Sequence, residues 1–368
     1  MKKYIFIIVL FFIVGSLSAQ MTVNGILDSS VSMTAGDEFS FGVEEFANIR
    51  FQSRLRDNKA VVYGAVNLIA AAGNYASAMA AMNPEGIVAG ENYAAAIELE
   101  RLYFRLNFEA ANFDGGLMRL PFGYGQVWGS SDFLNPRNPL KPDARPRGIL
   151  GAAVSWFPKD DIKLISFAAA PRNPFLSDGS GVIAGISIEN HWNKASIQAL
   201  YSYETPNEGA GSKNGLHRAG LSIKADVEVG LVLDALYTYN YEADTKWDGL
   251  SLSIGADYSF FGGKLIVLAE YLYNGELSST SFDLEKNLLG MPDRHYLFNS
   301  FTWLFNDFTN LNIALVSNLS DFSFTPIITL NHDLFQGAVL TISAQIPLPP
   351  EKNAGNYFHC TARVRLRF

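Results

Sequence analysis

Tyr357-Phe358-His359-Cys360-Thr361-Ala362-Arg363-Val364-Arg365-Leu366-Arg367-Phe368 has a two-residue rhythm that decides how the rest of the chain is read. Side chains of an extended strand point alternately to opposite faces. Phe358, Cys360, Ala362, Val364, Leu366 and Phe368 therefore share one face, and Tyr357, His359, Thr361, Arg363, Arg365 and Arg367 the other. A soluble sandwich rarely sets three arginines opposite an unbroken apolar row. A wall between lipid and water does so naturally.

The other end is consistent with export. Lys2 and Lys3 precede an apolar run, Tyr4 to Val14, and then Gly15-Ser16-Leu17-Ser18-Ala19-Gln20. Basic start, apolar middle and small-residue finish make residues 1–19 a secretory signal peptide, with cleavage expected after Ala19 although Leu17 is not small. The run falls short of the ~20 residues a membrane-spanning helix needs, and no later stretch reaches that length. No cysteine at the junction offers a lipid attachment point. Residues 20–368 then form one domain, since no linker divides them.

With 48% apolar and 13% aromatic residues but no long apolar run, the composition calls for many amphipathic strands. The lone Cys360 excludes an internal disulfide and falls on the apolar side of its strand. The formal charge of −8 becomes two units more negative without Lys2 and Lys3, which argues against a nucleic-acid partner.

Tight turns are expected at Asp57-Asn58, Ala110-Ala111-Asn112, Pro158-Lys159-Asp160, Trp192-Asn193, Asp226-Val227-Glu228, Phe261-Gly262, Asn306-Asp307-Phe308 and Asp333-Leu334-Phe335-Gln336. Longer connections rich in Gly, Pro, Ser, Asn and Asp fall between them, near 34–37, 73–91, 121–147, 172–181, 205–214, 242–247, 275–294, 318–321 and 348–355. Short turns at one rim and long loops at the other are the habit of bacterial membrane barrels. The reading is an all-β, closed, antiparallel, up-and-down transmembrane β-barrel of about 18 strands, with 16 as the alternative. Closure leaves no strand edge unpaired in the membrane.

Individual strands agree. Phe39, Phe41, Val43, Ala47, Ile49 and Phe51 oppose Glu44, Asn48, Arg50, Gln52 and Arg54. Further on, Leu250, Leu252, Ile254, Ala256, Tyr258 and Phe260 oppose Ser251, Ser253, Asp257 and Ser259. Outward tyrosines Tyr201, Tyr203, Tyr237, Tyr239, Tyr241, Tyr271 and Tyr273 gather toward the loop-side ends, where amphipathic rings favour the lipid–water interface.

The final strand, ending in Phe368, resembles the C-terminal signal of bacterial outer-membrane proteins, which implies recognition by the barrel-assembly machinery. Barrels of 16–18 strands enclose an aqueous channel. Two loops are long enough to narrow it. Asn74-Tyr75-Ala76-Ser77-Ala78-Met79-Ala80-Ala81-Met82 is helix-forming material stopped by Pro84. It belongs either inside the mouth or on the surface. The second loop contains Phe122-Gly123-Tyr124-Gly125-Gln126-Val127-Trp128-Gly129-Ser130-Ser131-Asp132-Phe133-Leu134-Asn135-Pro136. Its Trp-Gly, Ser-Ser-Asp and Asn-Pro elements are similar to a segment of large substrate-selective porins, the alginate-export type among them. That resemblance implies a loop folded inward, with Arg119, Arg137, Lys141, Arg145 and Arg147 set against Asp132 and Asp143. An external, solvated loop is the competing reading.

Inward arginines cluster near the closing seam: Arg50, Arg54, Arg101, Arg105, Arg363, Arg365 and Arg367, interleaved with Glu44, Glu98 and Glu100. Asp234, Asp257 and Glu270 lie about half the circumference away, weakened as an acidic wall by Lys224 and Lys264. Opposed walls of unlike charge set a transverse field favouring polar solutes. Pairs such as Glu44 with Arg50 would equally serve as structural ion pairs.

His191, His217, His295, His332 and His359 are too scattered for a metal site. No nucleophile elbow, phosphate loop or dinucleotide fingerprint occurs, and no cofactor is implied. The expected function is passive diffusion of small hydrophilic solutes, anionic or sugar-like, without catalysis. The expected partners are outer-membrane lipid, the assembly machinery, the solutes and, as an open option, further copies of the chain. A surface-exposed structural or adhesin barrel is the alternative, and a barrel enzyme (His295 beside Asp293 and Arg294) the remote one.

Overall fold

The computed structural model describes residues 20–36, 39–55, 58–76, 87–135, 148–170, 181–206, 215–240, 249–275, 293–348 and 358–368. Along the chain the strands are β1 (Gln20–Ala35), β2 (Phe39–Leu55), β3 (Ala60–Gly73), β4 (Ile87–Ala89), β5 (Tyr93–Asn107), β6 (Ala111–Met118), β7 (Ile149–Lys159), β8 (Ile162–Ala169), β9 (Ile183–Trp192) and β10 (Ala195–Glu204). They continue as β11 (Leu216–Asp226), β12 (Gly230–Asn240), β13 (Leu250–Phe260), β14 (Leu265–Asn274), β15 (His295–Asn306), β16 (Thr309–Asn318), β17 (Ser323–Phe335), β18 (Ala338–Gln345) and β19 (Phe358–Arg367).

Each wall strand pairs antiparallel with the next, and β19 returns to β1 from Ile26↔Arg367 to Ala35↔Phe358. The result is a closed barrel of 18 strands. β3 pairs directly with β5, so β4 is an addition to the ring. It occupies the β5 edge at Ala94–Ala96, toward the loop end, where β6 no longer runs because the chain leaves the wall after Met118.

The eight expected tight turns all fall between neighbouring strands, Asp57 of the first lying outside the described residues. Asn58 and Asn193 carry the positive φ that such turns need, which Asn tolerates better than most residues. The seam closes on the terminal residue: Phe368 exchanges two backbone hydrogen bonds with Gly25, and its ring lies over that glycine.

Alternation holds along the strands with one instructive break. In the β3–β5 ladder Ala65 pairs with Arg101 and Val66 with Leu99, so Glu100 is an extra residue in a β-bulge. The bulge shifts the alternation by one. Glu98 and Glu100 face inward above it, and Arg101, Tyr103 and Arg105 below it.

The interior is not uniformly wet. Beneath the segment after β6, inward residues of the wall are apolar: Ala153, Ile165, Phe167, Ile183, Leu200 and Leu236 pack with Met118, Leu120, Phe122, Phe133 and Leu134. A second apolar patch on β14–β17 includes Leu272, Tyr296 and Val316, whereas on β1, β2, β3 and β5 the inner face is polar, with Asp28, Ser30, Ser32, Asn48, Asn67 and Glu100 buried.

Candidate functional site

Residues 119–135 leave β6 and run inside the barrel, along the inner faces of β7 to β16. Backbone amides of the loop are donated to carboxylates and amides of the wall. Gly123 N donates to Gln198 Oε1 (2.7 Å), and Tyr124 N and Gly125 N to the two oxygens of Asp234 (2.9 and 2.7 Å). Gln126 N and Val127 N donate to Glu270 Oε2 (3.0 Å each), and Trp128 N to Glu270 Oε1 (3.1 Å). The Trp128 indole reaches the Glu270 carbonyl oxygen (3.2 Å).

Two carboxylates thus hold five consecutive amides. Charge-assisted bonds of this kind exceed neutral ones in strength, and they satisfy backbone groups that apolar surroundings would otherwise leave unpaired. Glycine is required at the approach: a Cβ on Gly123 would lie 2.5 Å from Asp234 Oδ2, and one on Gly125 2.9 Å. Trp128, 0% exposed, fills the space beside Val127, Leu272, Tyr296 and Val316.

Side chains of the loop complete the anchoring. Tyr124 OH donates to Glu189 Oε1 (2.7 Å), and Gln126 Nε2 to Asp257 Oδ1 (2.7 Å). Burial, and next the bond to Glu189, push the Tyr124 phenol above its ordinary value, so it remains a donor. Asp132 Oδ1 accepts from Phe122 N and Asn135 N, closing the loop on itself. Ser131 Oγ bonds to the Ala235 carbonyl and accepts from Ser222 Oγ.

The remaining inner surface, on β17–β19, β1–β3 and β5, carries the arginines. Arg365 grips Asp28 with two bonds (2.7 and 2.6 Å) across the seam, and Arg105 grips Asp114 (2.6 and 2.9 Å). Arg101 and Arg119 share Glu100 Oε1 at 3.1 Å each. Arg50 Nε donates to Asn48 Oδ1 (2.6 Å), whose Nδ2 reaches Asn67 and Glu100. Asn310, Asn331, Thr341, Arg363, Arg365 and Arg367 line a recess of about 890 Å³ at the turn end. Arg50, Arg365 and Arg367 border a smaller one of about 420 Å³ beside Phe368. Arg54 lies near the lower end of β2, on the same inward face as Arg50.

The structure therefore gathers Arg50, Arg363, Arg365 and Arg367 about one region and sets Arg105 and Arg119 beside it. Asp234 and Glu270 are 0% exposed, taken up by loop amides, while Asp257 holds Gln126. The inward acids act as anchors for the loop. Among the described residues of the loop, Trp128 and Asp132 are buried, Arg119 and Tyr124 retain partial exposure, and Gln126 is exposed. Arg137, Lys141, Arg145 and Arg147 lie outside the described residues, as do Asp143, Tyr241 and residues 77–86. Asn74–Ala76 are helical, and Asn74 bonds to inward Ser32 and Thr34 at the mouth.

Sequence reading missed Gln198 and Glu189 as anchors, the Asp28 partner of Arg365, and the Arg218–Glu204 pair (2.7 Å). One signal was available. Asp234 and Glu270 sit mid-strand with no basic residue opposite them in register, and the glycines of 123–125 offer free amides.

No known protein family matches the chain, and no curated protein is significantly similar to it. Solved structures are similar in fold at low identity. Pseudomonas aeruginosa OccK2 (OpdF) matches with a TM-score of 0.61 and 8% identity, covering 95% of this chain and 98% of its own. The outer membrane protein OpdK of the same organism gives 0.59 and 11% over 95% and 98%, and Acinetobacter baumannii OccAB4 gives 0.57 and 10% over 95% and 99%. OccK2 has also been solved in complex with glucuronate.

Proposed function

We propose that the chain is an outer-membrane channel for passive diffusion of small hydrophilic solutes, anionic or sugar-like. The observation that carries this reading is the division of the lumen. The 119–135 loop is held flat against one half of the wall by Asp234 and Glu270, and the arginine-bearing half is left to line the path. Preorganised guanidinium groups in a narrow, low-dielectric passage favour anions over cations. The apolar outward face, the interface tyrosines and the fold shared with OpdK support placement in the outer membrane. In this reading residues 1–19 are cleaved after Ala19, and Phe368 is read by the barrel-assembly machinery.

Purified protein in a planar bilayer tests the proposal. Stable open steps are expected, with a reversal potential in a salt gradient of the sign given by anion preference. Glucuronate, the ligand present with OccK2, is the first blocker to try. A second reading, a structural or adhesin barrel, draws on the apolar packing around Phe122, Phe133 and Phe167. Absence of any conductance from inserted barrels would decide for it.

A further inference from the structure

After β3 the chain turns into the barrel. Gly73 ends the strand with a φ of +66°, where a side chain would strike the Phe41 carbonyl. Its amide donates to the Asn92 carbonyl just ahead of β5 (3.0 Å). Asn74 then engages inward side chains with its whole amide. Its Oδ1 accepts from Ser32 Oγ (3.1 Å), and its Nδ2 donates to Thr34 Oγ1 (3.1 Å) and Ser40 Oγ (3.4 Å). All three partners are uncharged hydroxyls. Thr34 Oγ1 lies 2.9 Å from His359 Nδ1, and His359 Nε2 lies 3.1 Å from Thr361 Oγ1. Because the Thr34 oxygen accepts from Asn74, its own proton is left for His359, and the chain of bonds crosses the seam to β19. β1 and β2 hold the asparagine directly, and β19 holds it through Thr34.

The wall leaves room for this turn. Gly42 pairs with Gly73 and faces inward; a Cβ on it would strike Asn74 Oδ1 and lie 2.9 Å from the Tyr75 ring. The Tyr75 ring therefore rests on the inner face of β2. Ala71 and Ala94, an inward pair of the β3–β5 ladder, are 6% and 2% exposed, and Ala76 is 2% exposed. The inner face is covered here. The same strands carry arginines further down: Arg50 lies eight residues beyond Gly42 on β2. At ~3.4 Å per residue and a tilt of roughly 40°, that is about 20 Å along the barrel axis. The 119–135 loop rests against the opposite half, on Asp234 and Glu270.

We propose that residues 73–76 form a second constriction, at the outer mouth and above the arginines, with Asn74 as its positioning residue and the Tyr75 ring as its obstruction. Neither the turn nor its hydroxyl partners carry a carboxylate or a guanidinium, so this step sorts solutes by bulk, and charge is read lower down. The inference rests on the channel reading above and adds an uncharged selection step to it.

Polymer exclusion in planar bilayers tests it, with polyethylene glycols of graded mass added to one side of barrels inserted in one orientation. Asn74→Leu keeps a similar bulk and removes every bond of the amide. Tyr75→Ala keeps those bonds and removes the ring. In both variants the largest polymer that enters from the loop side should rise at least twofold in mass. The limit from the turn side and the reversal potential in a salt gradient should stay where they are. Folded, conducting variants with an unchanged loop-side limit overturn the constriction. A rise with Tyr75→Ala alone overturns the role of Asn74. Limits that rise equally from both sides mean a loosened barrel and overturn the placement at the mouth, and a shifted reversal potential overturns the separation of bulk from charge. Unaltered barrels that insert but carry no current remove the channel and its mouth together.

Discussion

Glu270 is the residue on which the lumen depends most. Three loop amides and, through its own carbonyl, the Trp128 indole converge on it. In a Glu270→Ala variant those three amides lose their acceptor beneath an apolar cover, at about 1–3 kcal/mol each. The loop should detach while the barrel persists, giving larger, noisier single-channel steps; an unchanged conductance would count against the loop as the constriction. Tyr124 invites a test by pH. An acid whose folded pKa is raised adds stability that is complete below its unfolded value, near 10, and is lost only as pH climbs through the folded value. Channel conductance should therefore show no Tyr124-dependent change between pH 6 and pH 9, and Tyr124→Phe should act equally across that range.

At the scale of elements, the seam and the bulge each make a point. β19 joins β1 through its backbone ladder and through Arg365 on Asp28, which is 5% exposed. Arg365→Met leaves that carboxylate unpaired, at roughly 3 kcal/mol, the low end for breaking a buried pair because lumen water reaches Arg365. The urea midpoint of the heat-modifiable form should fall, and the Asp28→Asn, Arg365→Met double variant should recover part of the loss. The bulge at Glu100 brings that side chain to the lumen beside Arg101. Deleting Glu100 makes Leu99 and Arg101 consecutive and restores plain alternation, with Glu98, Arg101, Tyr103 and Arg105 all still facing the lumen. The deletion should keep a folded, heat-modifiable barrel but lower its urea midpoint, because Asn48 and Arg119 lose the Glu100 carboxylate, and Glu100→Gln should lower it less.

For the molecule as a whole, the prediction is one of sign. Arg363 and Arg367 border the turn-end recess and Arg54 lies on the same inward face, and all three are separate from the structural grip of Arg365 on Asp28. Neutralising all three should move the reversal potential toward cations. A potential unmoved by the triple change would mean that the solute path runs elsewhere.

Much of this was legible from the chain alone. Odd-even sorting in stretches such as Phe39 to Phe51 and Phe358 to Phe368 determines which face meets oil, because a strand has a period of two whatever its neighbours do. Turn residues such as Asn58 and Asn193 determine where it reverses, through local backbone preference. The inward acids were visible, but their task was not. Whether Asp234 faces open water or the amides of Tyr124 and Gly125 depends on a loop 109 and 110 residues away in sequence coming to rest against it. The extra residue at Glu100 does leave a local mark, the adjacent charges Glu100-Arg101 between Leu99 and Leu102, but only the register with β3 shows it to be a bulge. Periodicity is a property of each strand by itself; which groups consume each other's hydrogen bonds is a property of the closed ring.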